Sequence, residues 1–234
     1  MNDIKDPHIG IDESGKGDFF GPLIICALFV SSNTIQKQLV DIGVRDSKQI
    51  KNDASIINLS NKICDIVSTK NYRGFDVICI NPPRYNKLYD KIKNLNAMLA
   101  WGHRTAMYNL LSSLKENEQQ CDTIISDRFS KKGISNDSLI KKFPELKLIQ
   151  HTHAEDSYIS VAAASIIARS YFIGQLQSLY KIFETQLSRG SGPKTLELAV
   201  KLIKKFGQDK MNLVAKTHFK TFRDASLIAL QNST

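Results

Sequence analysis

The stretch HIGIDESGKGDFFGPLIICALFV, residues 8–30, restricts the fold of this chain more than any other. Its last eight residues, Leu23–Val30, are rich in β-branched and aromatic side chains and suit a buried strand. The residues before them read as another strand running into a Gly-rich turn, so the chain is expected to begin as a hairpin. Two carboxylates, Asp12 and Glu13, stand where the first strand gives way to that turn.

Gly10–Gly17 is one residue short of a nucleotide-binding P-loop, in which a glycine, four residues, Gly-Lys and a hydroxyl residue cradle phosphates. Gly17 has no hydroxyl to hold a magnesium ion, and Asp12 and Glu13 would put two negative charges inside a cradle meant for a polyanion. The same pair makes chemical sense if the phosphate arrives with divalent metals. Mg2+ and Mn2+ prefer hard oxygen ligands and bridge carboxylate to phosphate.

The 234 residues, 42% of them hydrophobic, suffice for one good core or one core with a small appendage. Cys26, Cys64, Cys79 and Cys121 lie far apart in apolar segments, which suggests neither a CxxC metal knuckle nor a secreted disulfide framework and points to a reducing compartment. The opening residues MNDIKDPH lack the layout of a signal peptide, and the longest apolar run, Leu23–Val30, is too short to cross a bilayer. A cytoplasmic protein without a membrane partner is expected. A formal net charge of +9 suits a polyanionic partner such as nucleic acid, and a solvated lysine face accounts for it as well.

Beyond the hairpin, Ala54–Val67 reads as a polar helix and Phe75–Ile80 as a third strand bounded by NYRG and NPP. Tyr85–Leu114 reads as mostly helical, with Met107, Leu110, Leu111 and Leu114 on one apolar face. Cys121–Asp127 and Leu146–Asp156 read as strands that each end on a carboxylate. Tyr158–Phe172 is a small-residue helix whose alanines allow close packing on a sheet, with Asp156 or Ser157 placed to cap it. Ser188–Pro193 reads as a hinge before a last helical piece that ends at Gly207. The order of elements points to an α/β fold with a mixed central sheet flanked by helices.

Three strand ends therefore carry acids: Asp12-Glu13, Asp127 and Asp156. Sites in open α/β sheets gather at the carboxyl ends of strands, so these acids can converge, and two divalent ions between them would form a phosphoryl-transfer clamp. Neighbouring strand residues point to opposite faces, so Asp12 and Glu13 share a site only if the backbone twists, a freedom that Ser14-Gly15 supplies. The plainer alternative is a turn residue at Asp127, a helix cap at Asp156 and a solvated loop at Asp12-Glu13. A zinc site from His151, His153 and Glu155, on alternate strand positions, is a further alternative.

GIDESGKGDFFGPL, RDSK (Arg45–Lys48), NLNAMLAWGH (Asn94–His103), ISDRF (Ile125–Phe129), AEDSYISVAAASIIAR (Ala154–Arg169) and VAKTHF (Val214–Phe219) follow one another in the order found in type 2 ribonuclease H, and the chain resembles that family from about residue 8 to 220. It resembles ribonuclease HIII most, with ribonuclease HII as the near relative. The resemblance implies a ribonuclease H-like fold and hydrolysis of the RNA strand of RNA/DNA hybrids with two divalent ions, Mg2+ or Mn2+, leaving 5′-phosphate and 3′-OH ends. It implies Asp12, Glu13, Asp127 and Asp156 as catalytic metal ligands and Gly15, Lys16, Gly17, Ser165 and Arg169 as substrate contacts. The glycine triplet then lies against the sugar-phosphate of the RNA strand, where the 2′-OH separates RNA from DNA.

Ribonuclease HIII proteins carry an extra substrate-binding domain before the catalytic one, whereas Asp12 lies almost at the start of this sequence, so that domain is expected to be missing. Residues 1–187 are expected to form the catalytic domain and 188–234 a C-terminal helical extension packed on it, in a monomer. Lys194, Lys201 and Lys205 on that extension are read either as support for the hybrid or as a solvated face. Ribonuclease HII relatives, which incise at a single ribonucleotide in DNA, place a tyrosine in the loop before this helix, and Arg189–Pro193 holds no aromatic. Ribonuclease HII-type incision and a non-catalytic hybrid-binding protein of the same fold are the alternatives to hybrid cleavage.

Overall fold

His8–Ser14 (β1) and Leu23–Val30 (β2) pair antiparallel as the hairpin expected from the sequence, with Asp12 opposite Cys26 and Glu13 opposite Ile25. The computed structural model describes residues 6–45, 47–128, 139 and 141–231; Asp46 and Phe129, which belong to two of the motifs above, lie outside them. All eight residues of β2 are buried, which is why its sequence shows no polar alternation. Phe75–Ile80 (β3), Thr123–Asp127 (β4) and Lys147–His151 (β5) complete a five-stranded sheet in the order β3-β2-β1-β4-β5. β1 is antiparallel to β2 and parallel to β4, and β4 is parallel to β5, so the sheet is mixed, as expected.

The helices begin where the sequence provides caps. Ser32 caps α1 (Asn33–Asp41), Asn52 caps α2 (Asp53–Val67) and Asn81 caps α3 (Pro82–Ile92), each side chain accepting from a first-turn N–H. The helical reading of Tyr85–Leu114 resolves into two helices, α3 and α4 (Leu95–Glu116), because Lys93 takes a left-handed conformation with φ of 51° and its N–H closes on the Tyr89 carbonyl. After β5 come α5 (Ala154–Ser157), α6 (Ile159–Ser178), α7 (Tyr180–Phe183), α8 (Pro193–Phe206) and α9 (Lys220–Gln231). β5 stops at His151, so Asp156 sits on a helical turn and not at the strand end where the sequence reading put it.

The described residues divide into two compact units. The first ends its N-terminal segment at Ser14 and adds Ile24–Ile78 and Asn96–Ser170; the second comprises Gly15–Leu23, Cys79–Leu95 and the residues from Tyr171 onward. The expected boundary at residue 188 falls inside the second unit. Hydrogen bonds explain the difference: Gly21 N–H donates to Val214, Asn86 Nδ2 to Ala215, and Thr217 N–H to Asn86, knitting three distant segments together. On α8, Thr195, Ala199, Leu202 and Ile203 are buried and Lys194, Lys201 and Lys205 are exposed.

In the first unit, α4 and α6 supply most of the core outside the sheet. Met98, Met107, Leu110, Leu111 and Leu114 are buried on α4, and Val161–Ala164 and Ile166–Ala168 on α6. Ile159–Phe183 is long and apolar enough to cross a membrane by length and composition, but 72% of its apolar window is buried by the rest of the protein, as in a core helix. The small side chains of α6 let β1 approach closely: a Cβ on Gly10 would stand 2.3 Å from the carbonyl carbon of Ser160. Backbone lies on both sides of that contact, so no rotamer change can relieve it. Gly10→Ala is therefore expected to destabilise the protein by about 3 kcal/mol or more, the upper range for overpacking, measured as a lowered urea midpoint with unchanged m.

Candidate active site

The end of β1 sets the geometry of the site. Ile11 is in register with Ser126 of β4, so Asp12 and Asp127 are the next residues along two parallel, adjacent strands. Gly10 lies against Ser160 of α6, and Asp12, two residues on, shares that face and accepts a hydrogen bond from Ser165 of the same helix. Glu13 turns to the opposite face, where its Oε2 stands 3.0 Å from Nε2 of His103 on α4. His103 is wholly buried, and its Nδ1 is 3.5 Å from the Ser126 hydroxyl. The two neighbouring acids thus follow strand alternation and are held by two different helices.

They remain close enough to repel. Burial first, and the charge of Glu13 second, push the Asp12 carboxyl well above its ordinary value; Glu155 adds to this, while Ser165 and the Glu13 backbone pull the other way. Glu155 reaches this neighbourhood because His153, left-handed with φ of 55°, turns the chain from β5 into α5. That turn buries Glu155, 6% exposed, and leaves Asp156 exposed. Asp127 Oδ1 accepts from the Ala154 N–H at 3.4 Å, which ties the end of β4 to the start of α5.

Glu155 is only partly satisfied. Its Oε1 accepts from Lys48 Nζ at 2.8 Å, but its Oε2 is buried with no hydrogen-bond partner among the described residues. Burial raises the Glu155 carboxyl, and the hydrogen bond and charge of Lys48, with its own backbone N–H and His153, outweigh that and lower it overall. Ser165 and Arg169, expected to touch substrate, are engaged within the protein. The Ser165 hydroxyl lies 2.9 Å from that of Ser47, and Arg169 Nη1 donates to the Ser47 carbonyl. With ionised Asp12 as acceptor, the hydroxyl chain runs from Ser47 through Ser165 to Asp12.

Among the described residues no three His, Cys, Asp or Glu side chains stand close enough to enclose an ion, so the zinc alternative at His151, His153 and Glu155 is not met; His151 and His153 are exposed and Glu155 faces Lys48. The donors Asp12, Glu13, Asp127 and Glu155 suit a hard divalent cation in chemical type, although no three of them are gathered around one point as they stand, Asp12 and Glu13 leaving β1 on opposite faces. All donors are carboxylate oxygens, one is buried and unpartnered, and the charge on Asp12 is opposed by its neighbours.

Residues 9–222 match the ribonuclease HII family. The chain belongs to that family. Ribonuclease HIII of Protochlamydia amoebophila is 40% identical over 215 residues, which cover 92% of this chain and 67% of the relative. Ribonuclease HIII of Chlamydia pneumoniae is 39% identical over 217 residues, 92% of this chain and 69% of the relative. The crystal structure of Bst-RNase HIII in complex with Mn2+ superposes with a TM-score of 0.81 at 29% identity, over 96% of this chain and 70% of that one. Ribonuclease H2 of Pyrococcus horikoshii, 23% identical with a TM-score of 0.72 over 97% of this chain and 100% of that one, shares the fold. As a family member the protein is a ribonuclease H-type endonuclease.

In this ribonuclease the sequence reading gives His103, Ser47 and Lys48 no place around the acids, and gives Glu155 only a zinc role or a supporting one beside the metal pair. A signal existed for His103: it lies at helical spacing between Leu99 and Met107, on the buried face of α4, where a lone histidine needs a partner. No comparable pattern marks Lys48, which meets Glu155 across 107 residues. In the second unit, Gly15 has φ of 88°, and a Cβ there would meet the Pro22 carbonyl oxygen at 2.2 Å, whereas Gly17 opens on free space.

The raised Asp12 carboxyl carries a sign. The folded protein keeps a proton that the unfolded chain has lost above about 3.8, so this group makes stability fall as pH rises from there toward neutrality. Asp12→Asn is expected to flatten that dependence and raise the Tm of metal-free protein at pH 7. Mn2+ at a hundredfold above its Kd should stabilise the wild type by about 2.7 kcal/mol and the variant by much less, read by thermal unfolding with and without metal.

Proposed function

We propose that this ribonuclease hydrolyses the RNA strand of RNA/DNA hybrids at a centre in which Asp12, Glu13, Asp127 and Glu155 hold two divalent ions, Mg2+ or Mn2+, leaving 5′-phosphate and 3′-OH ends. The observation that carries the ligand set is the buried, unpartnered Oε2 of Glu155 beside an Asp12 whose charge Glu155 opposes. Asp156, which the sequence reading placed in this role, is exposed and gives way to its neighbour. When bound, such a metal pair makes a hydroxide from water near neutral pH and stabilises the leaving 3′-oxygen.

The chain's own groups prepare for this. Ser165 orients Asp12, and His103 fixes Glu13. Lys48 neutralises one oxygen of Glu155 and leaves the other. Gly15-Lys16-Gly17 offers backbone N–H groups and a cation to the sugar-phosphate, as the family resemblance implies. A reducing cytoplasm suits the four free cysteines.

Labelled RNA/DNA hybrid, RNA duplex and DNA duplex incubated with Mg2+, Mn2+ or EDTA test the activity. Only the hybrid should be cut, and only with metal; a hybrid left intact in both metals defeats the reading. Glu155→Gln is expected to lower the rate at saturating metal at least about a hundredfold, and Asp156→Asn to stay within about threefold. A Glu155→Gln protein keeping more than about a tenth of the rate would return the fourth position to Asp156.

The loop before α8 bears on which hybrids are cut. It runs through Gly190, φ of 75°, to Gly192 at the start of the helix, with no aromatic to stack on a sugar beyond an RNA–DNA junction. Loss of one stacking partner removes about 1–3 kcal/mol, ten- to hundredfold at a substrate with a single 2′-OH. Runs of four or more ribonucleotides should be cut efficiently in Mg2+ and a lone ribonucleotide in duplex DNA poorly. Equal kcat/KM on the two substrates would move the protein toward ribonuclease HII in function.

A further inference from the structure

Lys216 is fully buried, yet neither the acid centre nor the glycine triplet accounts for it. Its Nζ donates to the Asp18 carbonyl at 2.7 Å and to the Gly21 carbonyl at 2.8 Å. Its backbone N–H donates to Phe19 at 2.9 Å, while Gly21 N–H donates to Val214 at 2.8 Å and Phe20 bridges to Ala215. The hinge before α8 grips the same segment from elsewhere: Gly190 N–H donates to Asp18 Oδ1 at 2.6 Å and Phe19 N–H to the Gly190 carbonyl at 3.0 Å. All these residues belong to the second unit. The triplet lies in a turn closed by the Asp18 N–H on the Gly15 carbonyl, so Lys216 holds the residue at which that turn ends.

A methionine would fill this volume without burying a charge, and a buried lysine without an ion-pair geometry is costly to a fold. What the ammonium alone supplies is a set of charged donors for two loop carbonyls. We propose that Lys216 is a positioning residue for hybrid binding, whose ammonium fixes the Asp18–Gly21 segment and with it the conformation in which Gly15-Lys16-Gly17 meets the nucleic-acid backbone. This rests on the hybrid-cleavage reading.

The groups facing Nζ are the Asp18 carboxylate, the Tyr85 ring at 5.4 Å and His218, whose own ring lies 3.7 Å from Tyr89. Burial lowers Lys216 from 10.5 to about 7, with Asp18 opposing, and burial and then Lys216 lower His218 to about 4. Between pH 7 and 10.5 the unfolded chain holds a proton that the folded protein has shed, so this group makes stability rise with pH across that window. The charged clamp is the form below about 7, and hybrid binding weakens as pH rises through it.

The test compares the wild-type chain with Lys216→Met and Lys216→Arg. Amide exchange without metal or nucleic acid should speed up about tenfold or more over Gly15–Gly21 in Lys216→Met, with β1 and β4 as protected as before. On labelled hybrid, KM should rise about ten- to hundredfold, as for lost charge-assisted hydrogen bonds, with kcat within about threefold. Lys216→Arg, which stays charged, should recover most of the wild-type KM at pH 6.5 (a chosen assay value, about half a unit below the wild-type transition) and keep it to about pH 9, where the wild-type KM climbs. Wild-type exchange over Gly15–Gly21 in Lys216→Met, or an unchanged KM, overturns the proposal. If Lys216→Met does not fold, a KM–pH profile of Lys216→Arg that matches the wild type overturns it. A wild-type protein that leaves hybrid uncut sinks the cleavage reading, while the exchange measurement still decides whether Lys216 holds the loop.

Discussion

Negative charge gathered at the end of β1 is the constraint around which the first unit is built. Glu13 and Glu155 disfavour the ionisation of Asp12, and each of the three acids has a different support: Ser165 for Asp12, His103 for Glu13 and Lys48 for Glu155. Those supports come from α6, α4 and the turn at Ser47–Gln49, so helix packing and site geometry depend on the same contacts. Gly10 and the alanines of α6 follow from this. Only a strand without a side chain at Gly10 and a helix of small residues can approach until Ser165 reaches Asp12.

Much of this was legible in the sequence because it rested on local periodicity. The hairpin, the mixed sheet, the buried face of α4 and the small-residue helix all follow from patterns a few residues long, and the structure contains each of them. Asp127 at the end of β4 was read the same way. The errors lie where a decision depended on one backbone angle. The left-handed turn at His153 separates β5 from α5 and exchanges inside for outside between Glu155 and Asp156, and the left-handed Lys93 splits one expected helix into two. Neither residue is a glycine, so no composition signal announced the turn.

Long-range partners were beyond any local pattern. Lys48 and Glu155, Ser47 and Ser165, and Asn86 and Ala215 are more than a hundred residues apart, and the last of these pairs is one reason the expected division at residue 188 does not describe the second unit. All but Ala215, which contributes its carbonyl, are polar, and Ser47, Lys48, Glu155, Ser165 and Ala215 lie in quoted motifs. Such motifs mark residues that matter without saying which touch one another.

The resemblance of Gly10–Gly17 to a P-loop is then a shared solution to one physical problem with the charges arranged differently. In a P-loop, glycine keeps side chains out of the way of a phosphate, and the proposed role of this turn is the same; Gly15 needs its positive φ, and Gly17 leaves open space above the chain. A P-loop supplies positive potential from its own backbone and lysine. This chain supplies a cluster of acids that cannot meet a polyanion unless cations stand between them. The unpartnered oxygen of Glu155 and the opposed charge of Asp12 are costs the folded protein bears, and the cations proposed for this site would relieve both. On that proposal, binding of metal and gain of stability would be the same event, and a residue there would not be judged by its contribution to the fold alone.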